Sequence, residues 1–94
     1  MFDVIRSESG PLRFVGRLDA SQVDKTRAVL DTISESCVID FAALEYISSA
    51  GLGALLATQK RLGDAGHSLT LAHLNKHIRE IFRIAGFDIV FPIE

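Results

Sequence analysis

Tryptophan is absent from this 94-residue chain, tyrosine and cysteine occur once each, and proline occurs twice. Each scarcity excludes something. One cysteine, Cys37, cannot close an internal disulfide. It lies in an apolar run, so a buried free thiol in a reducing cytoplasm is expected. Charge of one sign is also missing: 10 Lys and Arg stand against 12 Asp and Glu, for a net charge of −2. Such a balance carries no electrostatic footprint for nucleic acid or for an anionic membrane surface. No apolar run approaches bilayer-spanning length, so direct membrane insertion is not expected. The N-terminal "MFDVIRSESG" holds Asp3 and Glu8 and no long apolar stretch, which does not fit a signal peptide. Internal repeats, linkers and low-complexity segments are lacking as well.

What is present is a folding sequence. Hydrophobic residues make up 48% of the chain, enough for a modest core in one domain spanning 1–94. "FDVIR" and "LRFVGRL" read as two strands joined by a turn, "SESGP" (Ser7 to Pro11), which predicts an antiparallel hairpin. A helix follows, opened by a capping box of Ser21 and Asp24 and striped by Val23, Thr26, Val29, Leu30 and Ile33. "CVIDF" is a third strand, apolar enough to be covered on both faces. The next helix runs through Leu62 with Leu52, Leu55, Leu56 and Leu62 on one face, Lys60 and Arg61 off it, and Gly66 as its stop. "SLTLAHL" alternates as a fourth strand. Asn75 caps a third helix striped by Ile78, Ile81, Phe82 and Ala85 and ended by Gly86, with Phe87 packing back on it. "DIVF" reads as a last strand stopped by Pro92. The order is β-β-α-β-α-β-α-β: an α/β domain with a mixed sheet, helices packed against it and parallel crossovers.

One stretch calls for more than folding. "YISSAGLG" (46–53) places Ser48 and Ser49 where a strand passes into a helix, followed by Ala50, Gly51, Leu52 and Gly53. A helix cap accounts for one serine. It does not account for two glycines early in a helix, where each costs about 1 kcal/mol relative to Ala. They suggest a close approach, by a partner or by the sheet beneath. In an open α/β sheet this loop and "GRLDAS" (Gly16 to Ser21) both open at the carboxyl edge of the strands. Asp19 and Ser49 are then neighbours, provided the second and third strands are adjacent.

Enzyme chemistry is poorly supported. The G-x-S-x-G elbow is absent, and no orienting carboxylate is evident for His67, His73 or His77. The glycines of "GLG" lie inside the helix and no Walker lysine follows, so no nucleotide or other cofactor is implied. Three His and one Cys do not fall at metal-ligand spacings. No catalytic residue and no metal ligand is therefore assigned. A phosphoacceptor serine fits better. Free amides and the macrodipole at a helix start stabilise a phosphate, whose charge of roughly −1.5 to −2 would spoil a small, uncharged docking patch.

These residues also carry a family resemblance. "VIDFAALEYISSAGLGALL" resembles the core pattern of STAS domains of the anti-sigma factor antagonist type. "GRLDAS" resembles their Gly-x-Leu-Asp segment, with Arg17 where Glu is common, and "IREIFRIAGFDIVFPI" their C-terminal segment. The resemblance implies a bacterial, cytoplasmic, non-enzymatic protein that binds an anti-sigma factor, often a serine kinase, and is released when phosphorylated. A serine phosphatase reverses the modification. On this chain it implies phosphorylation at Ser49 and a partner-binding edge of Asp19, Ser48, Ser49, Ala50, Gly51, Leu52 and Gly53. Two other roles known for small STAS proteins remain open at this point: a non-enzymatic subunit of a lipid-transport ABC complex, and a scaffold subunit of a sensory assembly.

Overall fold

The computed structural model describes residues 1–6 and 10–94. In chain order it contains β1 (Phe2–Ile5), β2 (Leu12–Leu18), a 3-10 turn (Ala20–Gln22), α1 (Val23–Leu30), β3 (Cys37–Ile47), α2 (Ser49–Asp64), β4 (Leu69–Ala72), α3 (Lys76–Ile84) and a second 3-10 turn (Phe87–Ile89). The strands lie in the order β1-β2-β3-β4, with β1–β2 antiparallel and β2–β3 and β3–β4 parallel. The expected hairpin and the α/β alternation are both observed. Of the expected turn "SESGP", Ser7 to Ser9 lie outside the described residues.

Alternation along β2 sets the layers. Leu12, Phe14 and Leu18 are buried while Arg13 and Arg17 are exposed. The same face of β3 buries Ile39, Phe41, Leu44 and Ile47. The expectation that this strand is covered on both faces is corrected: its other face, with Val38, Asp40 and Tyr46, is only half-buried. Its apolar run reflects length and strand propensity rather than a second helical layer. Cys37 is likewise half-buried rather than buried, and burial raises its thiol pKa. Through the core runs a chain of aromatic contacts, Phe2–Phe14–Phe41–Phe82–Phe91, with ring centroids 5.5, 5.4, 6.0 and 5.9 Å apart. It links β1, β2, β3, α3 and the C-terminal segment, each pair adding about 0.5–1.5 kcal/mol beyond its area burial.

β3 is longer than the "CVIDF" read from sequence. It continues to Ile47 by taking two bulges against β2, since the register steps from Arg13↔Asp40 to Val15↔Ala43 and from Gly16↔Leu44 to Arg17↔Tyr46. In the first bulge Asp40 accepts the Ala42 amide at 2.8 Å. The bulges carry the strand to the lip of the sheet, where α2 begins.

Helix ends follow local chemistry with one exception. The α2 stop is satisfied by Gly66 N–H to Gly63 O at 3.0 Å and His67 N–H to Leu62 O at 2.8 Å. Asn75 caps α3, as expected, accepting the Ile78 amide at 2.8 Å. The capping box at Ser21 is corrected. Asp19 is the capping side chain, accepting from the Ser21 amide, and α1 starts later with no side-chain cap at Gln22. A 3-10 turn between Asp19 and α1 puts one cap two residues before Ser21 and the other one residue after it, which sequence spacing alone does not reveal. The far end of α1 is closed from outside: the Arg61 guanidinium of α2 donates to Leu30 O and Ile33 O at 3.0 and 2.8 Å.

The last strand is also corrected. Asp88 and Ile89 lie in a 3-10 turn, and only Ile93 bridges to Leu71, through Leu71 N–H to Pro92 O and Glu94 N–H to Leu71 O. After Gly86 the chain coils back, so that Phe87 and Phe91 meet the core while Ile89 is exposed. Pro92 has no N–H to give a ladder, so the contact with β4 starts at its carbonyl instead of ending before it. Ala85, expected in the α3 stripe, is exposed.

Candidate functional site

Parallel pairing of β2 and β3 brings both suspect loops to one edge. Leu18 and Ile47 are register partners, and the Ser48 amide donates to Leu18 O at 2.8 Å. Asp19 and Ser49 each lie one residue beyond that bond, and the Ala20–Gln22 turn packs against α2. The adjacency on which their proximity depended is therefore observed.

The two serines have different jobs. Ser48 is the α2 N-cap in extended backbone, half-buried, its Oγ accepting the Gly51 amide at 3.1 Å. Ser49 is the first helical residue, exposed, and its hydroxyl bonds to no other described residue. The first turn of α2 holds no acidic side chain, so nothing there offsets its positive dipole end. The glycines divide in the same way. A Cβ at Gly51 would come within 2.9 Å of Leu18 Cγ and 3.1 Å of Ile47, so packing on the sheet demands that glycine. A Cβ at Gly53 would meet nothing within 4 Å. Leu52 is buried and belongs to the core, while Ala50 is exposed. The exposed side of this edge thus consists of Asp19, Ser49, Ala50 and Gly53.

Asp19 is held in place rather than free. Its Oδ1 accepts the Ser21 hydroxyl at 2.6 Å and the Ser21 amide at 3.0 Å. The Ser21 hydroxyl is the main cause that lowers its pKa; desolvation opposes it, and the Ser21 amide adds to the lowering. The carboxylate stays ionised at neutral pH, a fixed negative charge next to the serine loop.

The site is an edge, not a cavity. A hollow of about 380 Å³ lies at the opposite end of the strands, lined by Gly10, Pro11, Ser36, Cys37 and Val38. Among the described residues no group of three or more His, Cys, Asp or Glu is placed to hold a metal.

Comparison with known proteins locates the chain. Residues 2–92 match the STAS family model described as "Mlab, STAS domain". BtrV of Bordetella bronchiseptica, assigned as an anti-sigma factor antagonist, is 38% identical over 80 residues, covering 84% of this chain and 69% of BtrV. The chain is a STAS domain of the anti-sigma factor antagonist family. Solved structures share its fold. An anti-sigma factor antagonist from Mycobacterium paratuberculosis superposes with a TM-score of 0.81 at 21% identity, over 99% of this chain and 83% of that one. The antagonist SpoIIAA of Bacillus, in its unphosphorylated form, gives 0.77 at 19% identity, over 100% and 88%. Its phosphorylated form gives 0.70 at the same identity, over 100% and 91%.

Within this STAS domain, sequence reasoning missed one side-chain contact. His73 Nδ1 lies 3.3 Å from Asp40 Oδ1, so one of the three histidines does have a carboxylate partner. The correction has a tertiary cause: Ala72 is the β3–β4 register partner of Asp40, and His73 follows with φ +59°. Among the described residues, no serine hydroxyl bonds to a histidine, so the pair is not part of a Ser–His relay. Burial alone would raise the Asp40 pKa, but the Ala42 amide and His73 outweigh it and hold it below the usual value. A pairing of β3 with β4 in this register is the signal that would have predicted it.

Proposed function

We propose that this STAS domain is a phosphorylation-switched anti-sigma factor antagonist. Unmodified, its carboxyl edge binds an anti-sigma factor that is itself a serine kinase. The kinase phosphorylates Ser49, the complex parts, and a serine phosphatase restores the free form. The domain acts in the cytoplasm as a binding protein and catalyses nothing itself.

One observation carries this reading: Ser48 takes up the helix cap and leaves the neighbouring Ser49 hydroxyl exposed and unengaged at the start of α2. A phosphate there is held by first-turn amides and the macrodipole. It adds roughly −1.5 to −2 charge to a helix start whose exposed Ser49 and Ala50 and half-exposed Gly53 are small and uncharged. The fixed Asp19 carboxylate adds like-charge repulsion against a partner matched to the unmodified state. A phosphorylated form of SpoIIAA on the same fold supports the kind of switch, and the match to BtrV supports the kind of partner.

A second reading, a non-enzymatic subunit that binds the ATPase of a lipid-transport ABC complex, is another role implied by the STAS resemblance. That role requires no phosphoacceptor, so the two readings separate on Ser49.

The test pairs a kinase assay, with site mapping by mass spectrometry, with binding titrations. Ser49→Ala should bind the kinase constitutively and take up no phosphate. Ser49→Asp should stay folded and bind at least about tenfold more weakly, because it sets a charge on a patch matched to a neutral side chain. Phosphate mapped to Ser48, or Ser49→Asp binding as tightly as wild type, would overturn the switch.

A further inference from the structure

The face of the sheet away from the helices carries a second feature at the same edge. Arg17 of β2 and Tyr46 of β3 are register partners, and the Arg17 guanidinium carbon lies 4.6 Å from the Tyr46 ring centroid. Arg17 is exposed and Tyr46 half-buried. The second β3 bulge produces this pairing, since it inserts Glu45 between Leu44 and Tyr46 and turns the ring toward Arg17.

Arg17 is charged and available. Among the described residues, none of the ion pairs involves it. Asp40, the acid of β3 on this face, is occupied by the Ala42 amide and His73. Glu45 is exposed beside Tyr46 but makes no ion pair with Arg17. The Tyr46 ring beneath the guanidinium restrains it, so the side chain loses less freedom on accepting a ligand. A stacked guanidinium with free N–H donors matches one chemical group best, a carboxylate taken in two parallel hydrogen bonds. Arginine and tyrosine are also the side chains most often found to dominate protein interfaces. Position completes the argument: Arg17 precedes Asp19 by two residues and Tyr46 precedes Ser48 by two.

We propose that Arg17, stacked on Tyr46, is a carboxylate-binding anchor that extends the docking edge onto the open sheet face and takes an Asp or Glu side chain of the protein partner. The identity of that partner rests on the proposed function; the chemistry of the contact does not. The site discriminates between partners by charge, because a neutral or basic side chain at that place leaves the guanidinium unpaired.

The probe is the anti-sigma factor kinase from the same cell, titrated by calorimetry at low and high salt against the whole domain. Arg17→Glu should weaken binding by roughly thirtyfold or more at low salt, as expected for reversing one partner of an interfacial charge pair. Arg17→Lys should lose several-fold, because an ammonium keeps the charge but not the planar fork. Tyr46→Leu should lose less than Arg17→Glu, because it removes the stack and keeps the cation. Exchanging the partner's contacting carboxylate for Arg should restore binding to Arg17→Glu. Both side chains lie outside the core, so thermal midpoints should stay near wild type. Ser49→Asp is titrated alongside. If Ser49→Asp binds weakly while Arg17→Glu binds within about twofold of wild type, the anchor is wrong and the switch stands. If Arg17→Glu binds weakly while Ser49→Asp binds like wild type, the switch is wrong and the anchor stands.

Discussion

Three helices start at the carboxyl edge of this sheet, and the first turns of α2 and α3 differ in an instructive way. Both follow a parallel strand, and both are capped by a polar side chain three residues ahead of the amide it holds: Ser48 for Gly51 in α2, Asn75 for Ile78 in α3. The α3 start is then bound to β3 twice, through Asn75 Nδ2 to Leu44 O at 2.9 Å and through His73 to Asp40. Its next exposed residues are Lys76, His77 and Arg79, a solvated face. The α2 start is bound by its cap and by the Ser48 amide, and beyond them it exposes Ser49, Ala50 and a half-exposed Gly53. Capping is thus common to both helices and says nothing of function. What singles out the α2 start as the proposed docking edge is what the turn leaves uncharged, small and unbonded after the cap is made.

That contrast can be broken most severely at Gly51. Gly51→Val forces branched carbons into Leu18 and Ile47, already within 3.1 Å of the position of a first added carbon. Overpacking of this kind costs about 1–3 kcal/mol, and near this chain length each kcal/mol lowers the thermal midpoint by roughly 4–8 °C. Calorimetric melting checks it; an unchanged midpoint would mean that α2 does not press on the sheet there.

The two caps give the next effects, and they should not be equal. Asn75→Ala loses the Ile78 amide acceptor and the donor to Leu44 O together, for about 1–2 kcal/mol. Ser48→Ala loses the Gly51 contact alone, about 1 kcal/mol, and on the proposed switch should still take up phosphate at Ser49. Urea unfolding of the two variants side by side measures the difference, and a larger loss for Ser48→Ala would reverse the ranking of the two helix starts.

How much of this was legible beforehand depends on whether the cause is local. The hairpin, the Asn75 cap and the α2 stop at Gly66 were readable, because a turn, a cap or a glycine stop is decided within a few residues of chain. The location of Ser48 and Ser49 at a strand-to-helix passage was readable for the same reason. Their division of labour was not, because it depends on which residue adopts the extended cap geometry. Gly51 and Gly53 look alike in sequence, and only Leu18 beneath the helix separates them. The Asp40–His73 contact and the Arg17–Tyr46 stack come from strand register across parallel pairs and β3 bulges, which hydrophobic alternation does not encode. The last strand failed because "DIVF" has strand composition, yet the core takes Phe87 and Phe91 from either side of a coil.

Gly53 sharpens the comparison from the opposite direction. Nothing in the domain occupies the space a Cβ would need there, and the residue sits inside a helix. Gly53→Ala should therefore stabilise the fold by about 0.5–1 kcal/mol, a gain where Gly51→Val, Asn75→Ala and Ser48→Ala lose. A long polar side chain at the same place, as in Gly53→Gln, should leave the fold intact and weaken partner binding. Melting and titration of both variants check this; a destabilised Gly53→Ala would show that the helix needs glycine there for its own sake.

The smallest effect belongs to the α3 side of the edge and depends on pH. Asp40 has a folded pKa below the ordinary 3.8. Burial opposes the shift, and the Ala42 amide and His73 produce it. A depressed carboxyl pKa means that folding favours the ionised form, so its contribution is present above the ordinary value and fades as pH falls through the lower, folded one. The His73 side chain is 70% exposed, which screens its attraction for Asp40. Asp40→Asn keeps an oxygen for the Ala42 amide and gives up only the charge, so it should cost a few tenths of a kcal/mol near neutrality. Because asparagine does not titrate, the two stability curves should converge as the solution is acidified below the ordinary carboxylate range. The measurement is urea unfolding of wild type and Asp40→Asn across that range. A gap that widened toward acid would mean the Asp40 carboxyl is favoured in its protonated form by the folded state, and that the α3 start is not anchored by this charge.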